Sequence, residues 1–286
     1  MRLVHTPTRR PVTADNARNR LPLADSFNVS TERLLDPAAY IEMADVESRH
    51  WWFTGRRAII ISVIERLQLP HNARILEIGC GTGGNLDMLA AFGKVSAFDT
   101  EESARTIAAR KTGGVHDIRA GHCPDRIPFE DERFDLICMF DVLEHVEHDV
   151  ATLAAVHSLL AENGRLLLTI PAYQWLYGIH DRFLHHHRRY SSREIREKIR
   201  ACGFRLARLS HFNTLLFPLA AVVRLMERLL GSKAVAGSRI PPAPINGLLR
   251  NIFIAERVWL RHFNLPYGIS LLCVLEKPGL PGKALR

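Results

Sequence analysis

The chain has 286 residues, 47% of them hydrophobic, and a mean hydropathy of −0.04. This suffices for one α/β domain with extensions and excludes a fibrous, collagenous or wholly disordered protein. The formal net charge of +8 is unevenly placed, and where it falls bears on partners more than on fold.

Residues 1–30 mix Arg, Pro, Asn and Thr without periodicity, with five Lys/Arg against two Asp/Glu. They read as a disordered basic tail. Residues 31–72 read as an N-terminal helical cap. It holds a helical stretch over Leu34–Glu47, the aromatic cluster His50-Trp51-Trp52-Phe53, then Gly55-Arg56-Arg57, and a helix over Ile59–Leu67 that ends before Pro70.

From residue 73 the pattern alternates between short apolar runs and helix-length segments, the mark of parallel βαβ units. Strands are expected at Ile75–Ile78, Val95–Phe98, Val115–Ala120, Phe134–Phe140 and Arg165–Ile170. Helices are expected at Gly84–Ala91, Glu101–Ala109 and Asp149–Ala161, and Asn163-Gly164 makes a turn. A loop of aromatic, His and Arg residues follows over Tyr173–Tyr190, and Ser191-Ser192 with Glu194 caps a helix to about Ala201. Phe204–Leu209 and Ser270–Glu276 complete seven strands. The expected fold is a Rossmann-like, mostly parallel seven-stranded sheet with helices on both faces, formed by residues 73–212 with 266–278.

Residues 213–265 interrupt that pattern as a helical insertion before the last strand, with seven Lys/Arg against two Asp/Glu. The first helix, within Phe212–Leu230, is too short and too charged to span a bilayer. The second, Ile245–His262, has Ile245, Leu248, Leu249, Ile252 and Trp259 on one face and Arg250, Arg257 and Arg261 on another. The tail and the insertion hold the whole positive excess, so the basic character belongs to the attachments. Two readings of the insertion compete: a basic amphipathic lid at an apolar acceptor or an anionic membrane surface, and a pair of helices packed onto the sheet. The five cysteines, Cys80, Cys123, Cys138, Cys202 and Cys273, have no C-x-x-C spacing, and no signal peptide pattern opens the chain. A cytoplasmic setting is expected, with membrane association open.

Leu76-Glu77-Ile78-Gly79-Cys80-Gly81-Thr82-Gly83-Gly84 follows a strand and opens a helix, and Asp99 ends the next strand. Glycines there let the backbone turn and a ligand approach without meeting a Cβ. An acid at the position of Asp99 suits two ribose hydroxyls. Glu77 would repel a phosphate but attract a cationic amino-acid moiety, which favours S-adenosylmethionine over a dinucleotide.

Glu77-Ile78-Gly79-Cys80-Gly81-Thr82-Gly83 resembles motif I of class I methyltransferases. Asp99 matches the acidic end of their second strand. Ile127-Pro128-Phe129, Arg133-Phe134-Asp135-Leu136-Ile137, Asp141-Val142-Leu143-Glu144-His145-Val146 and Asn163-Gly164-Arg165-Leu166 resemble the stretches around their fourth strand and helix. The resemblance covers residues 73–172. It implies S-adenosylmethionine as cofactor, with Glu77, Gly79, Cys80, Gly81, Gly83, Asp99, Thr100, Cys123 and Asp141 around it. His122 and Cys123 stand where many relatives have an acid for the adenine amine. The His-Trp-Trp-Phe cluster with His186-x-Arg188-Arg189-Tyr190 resembles one bacterial subgroup, whose aromatic segment is associated with a cover over the cofactor cleft; ordinary helix packing is the competing reading.

Methyl transfer chiefly needs alignment of donor and acceptor and sometimes a proton acceptor. Candidate catalytic residues are His180, Asp181, His145 and His186, with His180 read as a base oriented by Asp181. Candidate acceptor contacts are Tyr173, Trp175, Tyr177 and Tyr190, with Arg188 and Arg189 gripping a phosphate or carboxylate. Asp141-x-x-Glu144-His145 has two readings, a divalent-ion site needing a further ligand from the His-rich loop, or residues that organise the cleft. The second is favoured, so no metal is expected. The sequence thus points to methylation of a small or lipid-linked acceptor, on oxygen. The alternatives are a nucleic-acid-directed methyltransferase, disfavoured by the charge-balanced core, and a non-catalytic cofactor-binding protein.

Overall fold

A run such as Ile-Leu-Glu-Ile at residues 75–78 has too few polar positions for a strand with one wet face, so it belongs inside a parallel sheet covered on both sides. The computed structural model, which describes residues 44–230 and 240–279, places it there. The strands are β1 Arg74–Ile78, β2 Lys94–Asp99, β3 Asp117–Ala120, β4 Phe134–Phe140, β5 Leu160–Pro171, β6 Arg205–Phe212 and β7 Ser270–Glu276. They form one sheet in the order β3-β2-β1-β4-β5-β7-β6. All neighbours are parallel except β7, which runs antiparallel between β5 and β6. The chain steps outward from β1 to β3 and then returns to the other side of β1 at β4. The carboxyl ends of β1 and β4 therefore flank the crevice where open α/β sheets hold ligands.

Helices α1 Trp51–Ile64, α2 Leu86–Ala90, α3 Glu102–Lys111, α4 Asp149–Leu159, α5 Ile179–Phe183 and α6 Ser192–Ala201 accompany the sheet. Two core clusters cover its faces, one around Ile137, Leu168 and Ile199, the other around Ile60, Leu136 and Phe253. The expected cap of α6 is present: Ser191 Oγ accepts the Glu194 N–H at 3.1 Å. The tail, residues 31–43 and residues 231–239 lie outside the described residues.

Most boundaries fall within a few residues of expectation, and two differ by more. The aromatic cluster is helical rather than a lead-in: α1 begins at Trp51, with the His50 ring accepting the Trp52 N–H at 3.2 Å. Strand β5 begins at Leu160, not Arg165, and carries the Asn163-Gly164 turn within it. A Cβ on Gly164 would lie 2.8 Å from the Phe134 carbonyl, so only glycine lets the turn close against β4.

The insertion forms α7 Phe217–Leu230 and α8 Ala243–Leu260, which differ in how far they are packed. Helix α8 packs on α1. Trp52 stacks on Phe253 at 5.3 Å, and Phe212 stacks on both rings at 6.1 and 6.0 Å. A Cβ on Gly55 would lie 2.4 Å from Phe253, so glycine lets the helices approach. The fully buried residues of α8 are Phe253, Glu256 and Leu260; of the face proposed from the sequence, Leu249 and Ile252 pack against the same core, while Ile245, Leu248 and Trp259 are exposed. Aromatic stacking at Phe253 shifts the buried stripe relative to the expected one. Helix α7, by contrast, leaves Leu219, Val222, Val223 and Met226 exposed, at the spacing of one helical stripe. Among the described residues no helix is long and apolar enough to cross a membrane.

Candidate functional site

The turn after β1 is built from left-handed glycines, with φ of +69° at Gly79, +51° at Gly81 and +79° at Gly83. At Gly79 a Cβ would also meet Val142 at 2.6 Å. The turn is fastened to β2: the Gly79 N–H donates to the Phe98 carbonyl at 2.9 Å, and the Gly81 N–H to Asp99 Oδ2 at 2.8 Å. The Glu101 N–H donates to Asp99 Oδ1 at 3.0 Å. These bonds use one lone pair on each carboxylate oxygen, leaving acceptor capacity for two more hydroxyls. Thr100 is exposed beside Asp99. Burial pushes the Cys80 and Cys123 thiols up, Cys123 to about 12, which disfavours the thiolate at neutral pH.

Glu77 lies buried beneath the turn. Oε1 accepts from Asn85 Nδ2 at 2.8 Å, whereas Oε2 has no partner among the described residues. Burial pushes its carboxyl up to about 8, against the Asn85 hydrogen bond and Arg56, with Glu47 and Asp99 adding to the rise. An acid raised in the fold stabilises it most at low pH; that contribution declines as pH rises from the unfolded value near 4.5 towards 8. A cationic ligand end above the turn would reverse the preference and favour the carboxylate. Donor affinity is therefore expected to rise roughly fivefold between about pH 6.5 and 7.5, below the range in which an α-amine loses its own proton, and Glu77→Gln to flatten the rise. Calorimetry across that range checks it; an unchanged slope in Glu77→Gln contradicts the assignment.

The N-terminal segment contributes charges that sequence reasoning left without roles. Glu47 accepts from Thr82 Oγ1 at 2.7 Å, pairs with Lys111 and lies where a Cβ on Gly84 would be. Arg56, buried, pairs with Asp141 at the end of β4. Asp141, at φ +56°, also accepts from Thr169 Oγ1 at 3.2 Å. The one sequence signal for this was Gly55-Arg56-Arg57 directly after the aromatic cluster.

Past Asp141 a short 3-10 turn spans Leu143–His145, and the His-rich loop folds back onto it. Several pairings differ from those expected. Asp181 is fully buried and does not orient His180: it accepts from His186 at 2.9 Å, from Arg189 Nε at 2.7 Å and from the Gly178 N–H at 2.9 Å. Burial raises its carboxyl, but the His186 hydrogen bond and the Arg189 charge outweigh this and leave it well below the usual range. His180 Nδ1 has no partner among the described residues, and burial with the nearby Arg224 lowers its ring to about 4. Arg188 and Arg189 do not form an open anion grip. Arg188 pairs with Asp149 at 3.0 Å and donates to the Glu147 carbonyl, while Arg189 holds Asp181 and the Ala172 carbonyl. Tyr190 is core, its hydroxyl bonded to Asp149 at 3.1 Å. Tyr177 donates to the His186 carbonyl at 2.8 Å. Local sequence could not show these links, because each joins residues brought together only by the loop's return.

The structure brings together Glu144, His145 and His186, not Asp141, Glu144 and His145, whose Asp141 is held by Arg56. On the other side of the loop, Tyr173 stacks on His211 at 5.3 Å and neighbours Trp175 at 6.0 Å and Phe217 at 5.7 Å. Phe217 reaches Tyr267 at 5.9 Å. This aromatic shelf joins the loop to the start of α7. His211, Phe217 and Tyr267 escaped the sequence reading because they lie on three separate segments.

Comparison with known proteins follows the same lines. Residues 50–209 match the family described as methyltransferase domain. A ubiquinone biosynthesis O-methyltransferase of Photobacterium profundum is 25% identical over 47% of this chain and 63% of its own length. A namesake from Xanthomonas axonopodis is 31% identical over 35% and 44%. A demethylmenaquinone methyltransferase of Staphylococcus saprophyticus is 25% identical over 43% and 57%. The chain thus spans about half the length of these curated relatives. Among solved structures, the complex holding the Haloferax volcanii Trm112 methyltransferase activator aligns at a TM-score of 0.56 with 18% identity, over 86% of this chain and 96% of that one. The [4+2]-cyclase SpnF aligns at 0.52 with 18% identity, over 79% and 81%. At that identity the structures speak to fold alone.

Proposed function

This chain belongs to the class I S-adenosylmethionine-dependent methyltransferases, and on that premise we propose that it methylates an oxygen of a small or lipid-linked acceptor. The observation that carries the reading is the convergence of Glu77, the bare glycine turn and Asp99 at the switch point of the sheet. Their chemistry fits the donor: hydroxyl acceptors at Asp99, backbone without Cβ at Gly79 and Gly81, and a buried acid beneath a cationic end. Bound S-adenosylmethionine supplies a methyl group on a positively charged sulfur. The chain supplies placement: Arg56 holds Asp141 just past the end of β4, and Asp181 ties together the loop between β5 and α6 through Arg189.

The aromatic shelf of Tyr173, Trp175, Phe217 and Tyr267 supports a flat or apolar acceptor. The curated relatives, by their names, act in ubiquinone biosynthesis and on demethylmenaquinone, and this supports transfer to a hydroxylated ring bearing a lipid tail. Helix α7 supports delivery from a membrane surface: its stripe of Leu219, Val222, Val223 and Met226 is exposed next to the shelf-forming Phe217, on an insertion with a positive surplus. Incubation with labelled methyl donor and separated lipid, RNA, protein and small-molecule fractions tests the reading. Label is expected in the lipid or small-molecule fraction, and Leu219→Glu with Val223→Glu lowers lipid labelling while leaving donor affinity unchanged. Label confined to RNA or protein overturns it.

A further inference from the structure

We propose that Glu144, His145 and His186 bind one borderline first-row divalent cation, of which Zn2+ is the representative. Their ligand atoms all lie within 4.8 Å of one another. The His145 and His186 rings meet edge to face with centroids 4.7 Å apart, and His186 Nε2 is 4.0 Å from Glu144 Oε1. Ligand atoms about 2.0–2.2 Å from a tetrahedral ion stand roughly 3.4 Å apart, so modest side-chain rotation closes the set around an ion.

The second observation is Glu144 itself. It is fully buried, and neither carboxyl oxygen has a partner among the described residues. A buried carboxyl left without partners is costly unless something supplies them. Arg56 and Arg189, the cations nearby, are already committed to Asp141 and Asp181. A bound cation would complete the site.

The third observation is how His186 is held. Its Nδ1 faces Asp181 at 2.9 Å, and Asp181 is fixed by Arg189 and the Gly178 N–H. A carboxylate on Nδ1 keeps the proton there and turns the Nε2 lone pair towards Glu144, the arrangement that orients metal-bound histidines. Asp181 is thus a positioning residue. Two imidazoles and one carboxylate suit Zn2+ and its neighbours and disfavour Mg2+ or Ca2+, which prefer all-oxygen shells. Three protein ligands leave a position for water or an acceptor oxygen, and the site follows β4 at the end of the sheet where the crevice opens. An ion there would supply Lewis acidity towards a hydroxyl.

The inference concerns binding alone and stands apart from methyl transfer, so its test uses no methyl donor. Tag-free full-length protein is stripped with chelator and titrated with Zn2+, Co2+ or Mg2+. One Zn2+ per chain is expected, with Mg2+ weaker by about 100-fold or more. Glu144→Gln and His186→Ala should each weaken Zn2+ by about tenfold or more, while replacing the exposed His185 and His187 by alanine leaves it unchanged. X-ray absorption of the Zn2+-loaded wild-type chain, which depends on no variant folding, should report two imidazoles in the first shell. Absence of one-to-one binding, undiminished affinity in Glu144→Gln and His186→Ala, or a first shell without imidazole overturns the proposal.

Discussion

Asp181→Ala is expected to destabilise the protein by about 3–5 kcal/mol, because it strands a buried guanidinium rather than merely deleting a contact. Arg189 is almost wholly buried, and the remaining hydrogen bond of its side chain among the described residues goes to the Ala172 carbonyl. The same change releases His186 and the Gly178 N–H at the start of α5. For a chain of this size, roughly 2–4 °C is lost per kcal/mol, so the melting temperature should fall by about 10 °C. Asp181→Asn keeps the volume and part of the hydrogen bonding and should fall between. Donor affinity should hold in whatever fraction remains folded, since the glycine turn has no direct bond to Asp181. Thermal melting and donor calorimetry, run on the same samples, separate the outcomes. An unchanged melting temperature with lost turnover would mean that Asp181 acts on the acceptor directly, against the structural role assigned here.

That role also marks the limit of what sequence can disclose. Strands β4 and β7 were legible to the residue, because a run such as Phe134–Phe140 is apolar but for Asp135 and bounded by polar turns. The glycine turn and Asp99 were legible because their chemistry depends on local order: positive φ at Gly79, Gly81 and Gly83, and an acid at the end of the next strand. The partners of the His-rich loop were not. His180 and Asp181 are adjacent in sequence and so suggested a pair, but a short helix sends neighbouring side chains about 100° apart. Asp181 turns inward to residues five and eight places later, and His180 towards Arg224 of the insertion. The buried face of α8 was only partly placed, for a related reason. A hydrophobic pattern shows that a helix has an apolar side, but Phe253 became the centre of burial because Trp52 and Phe212 offer it a stack.

Asp99→Ala is expected to weaken donor binding by about 30- to 1000-fold, from the loss of roughly 2–4 kcal/mol in hydrogen bonds between a charged acceptor and two ribose hydroxyls. The carboxylate is well placed for this. Oδ2 and Oδ1 each accept a single backbone N–H, from Gly81 and Glu101, which fixes the group without exhausting its lone pairs. Burial raises its carboxyl, and the Glu101 and Gly81 amides with Arg105 oppose that, so ligand hydroxyls that donate to the charged form reinforce an arrangement already in place. The same two amides separate a binding loss from an unfolding loss. Removing their acceptor costs each about 1 kcal/mol, a melting shift of only a few degrees. The fall in affinity should therefore far exceed the fall in stability. Asp99→Asn sharpens the contrast: one oxygen survives for Glu101, while an NH2 replaces the acceptor facing the Gly81 N–H. It should therefore bind donor more weakly than wild type despite its matching shape. Calorimetry with S-adenosylmethionine and its demethylated product decides the matter. If Asp99→Ala binds both as tightly as wild type, the ribose is not held at the end of β2, and the placement of the donor across β1 and β4 fails with it.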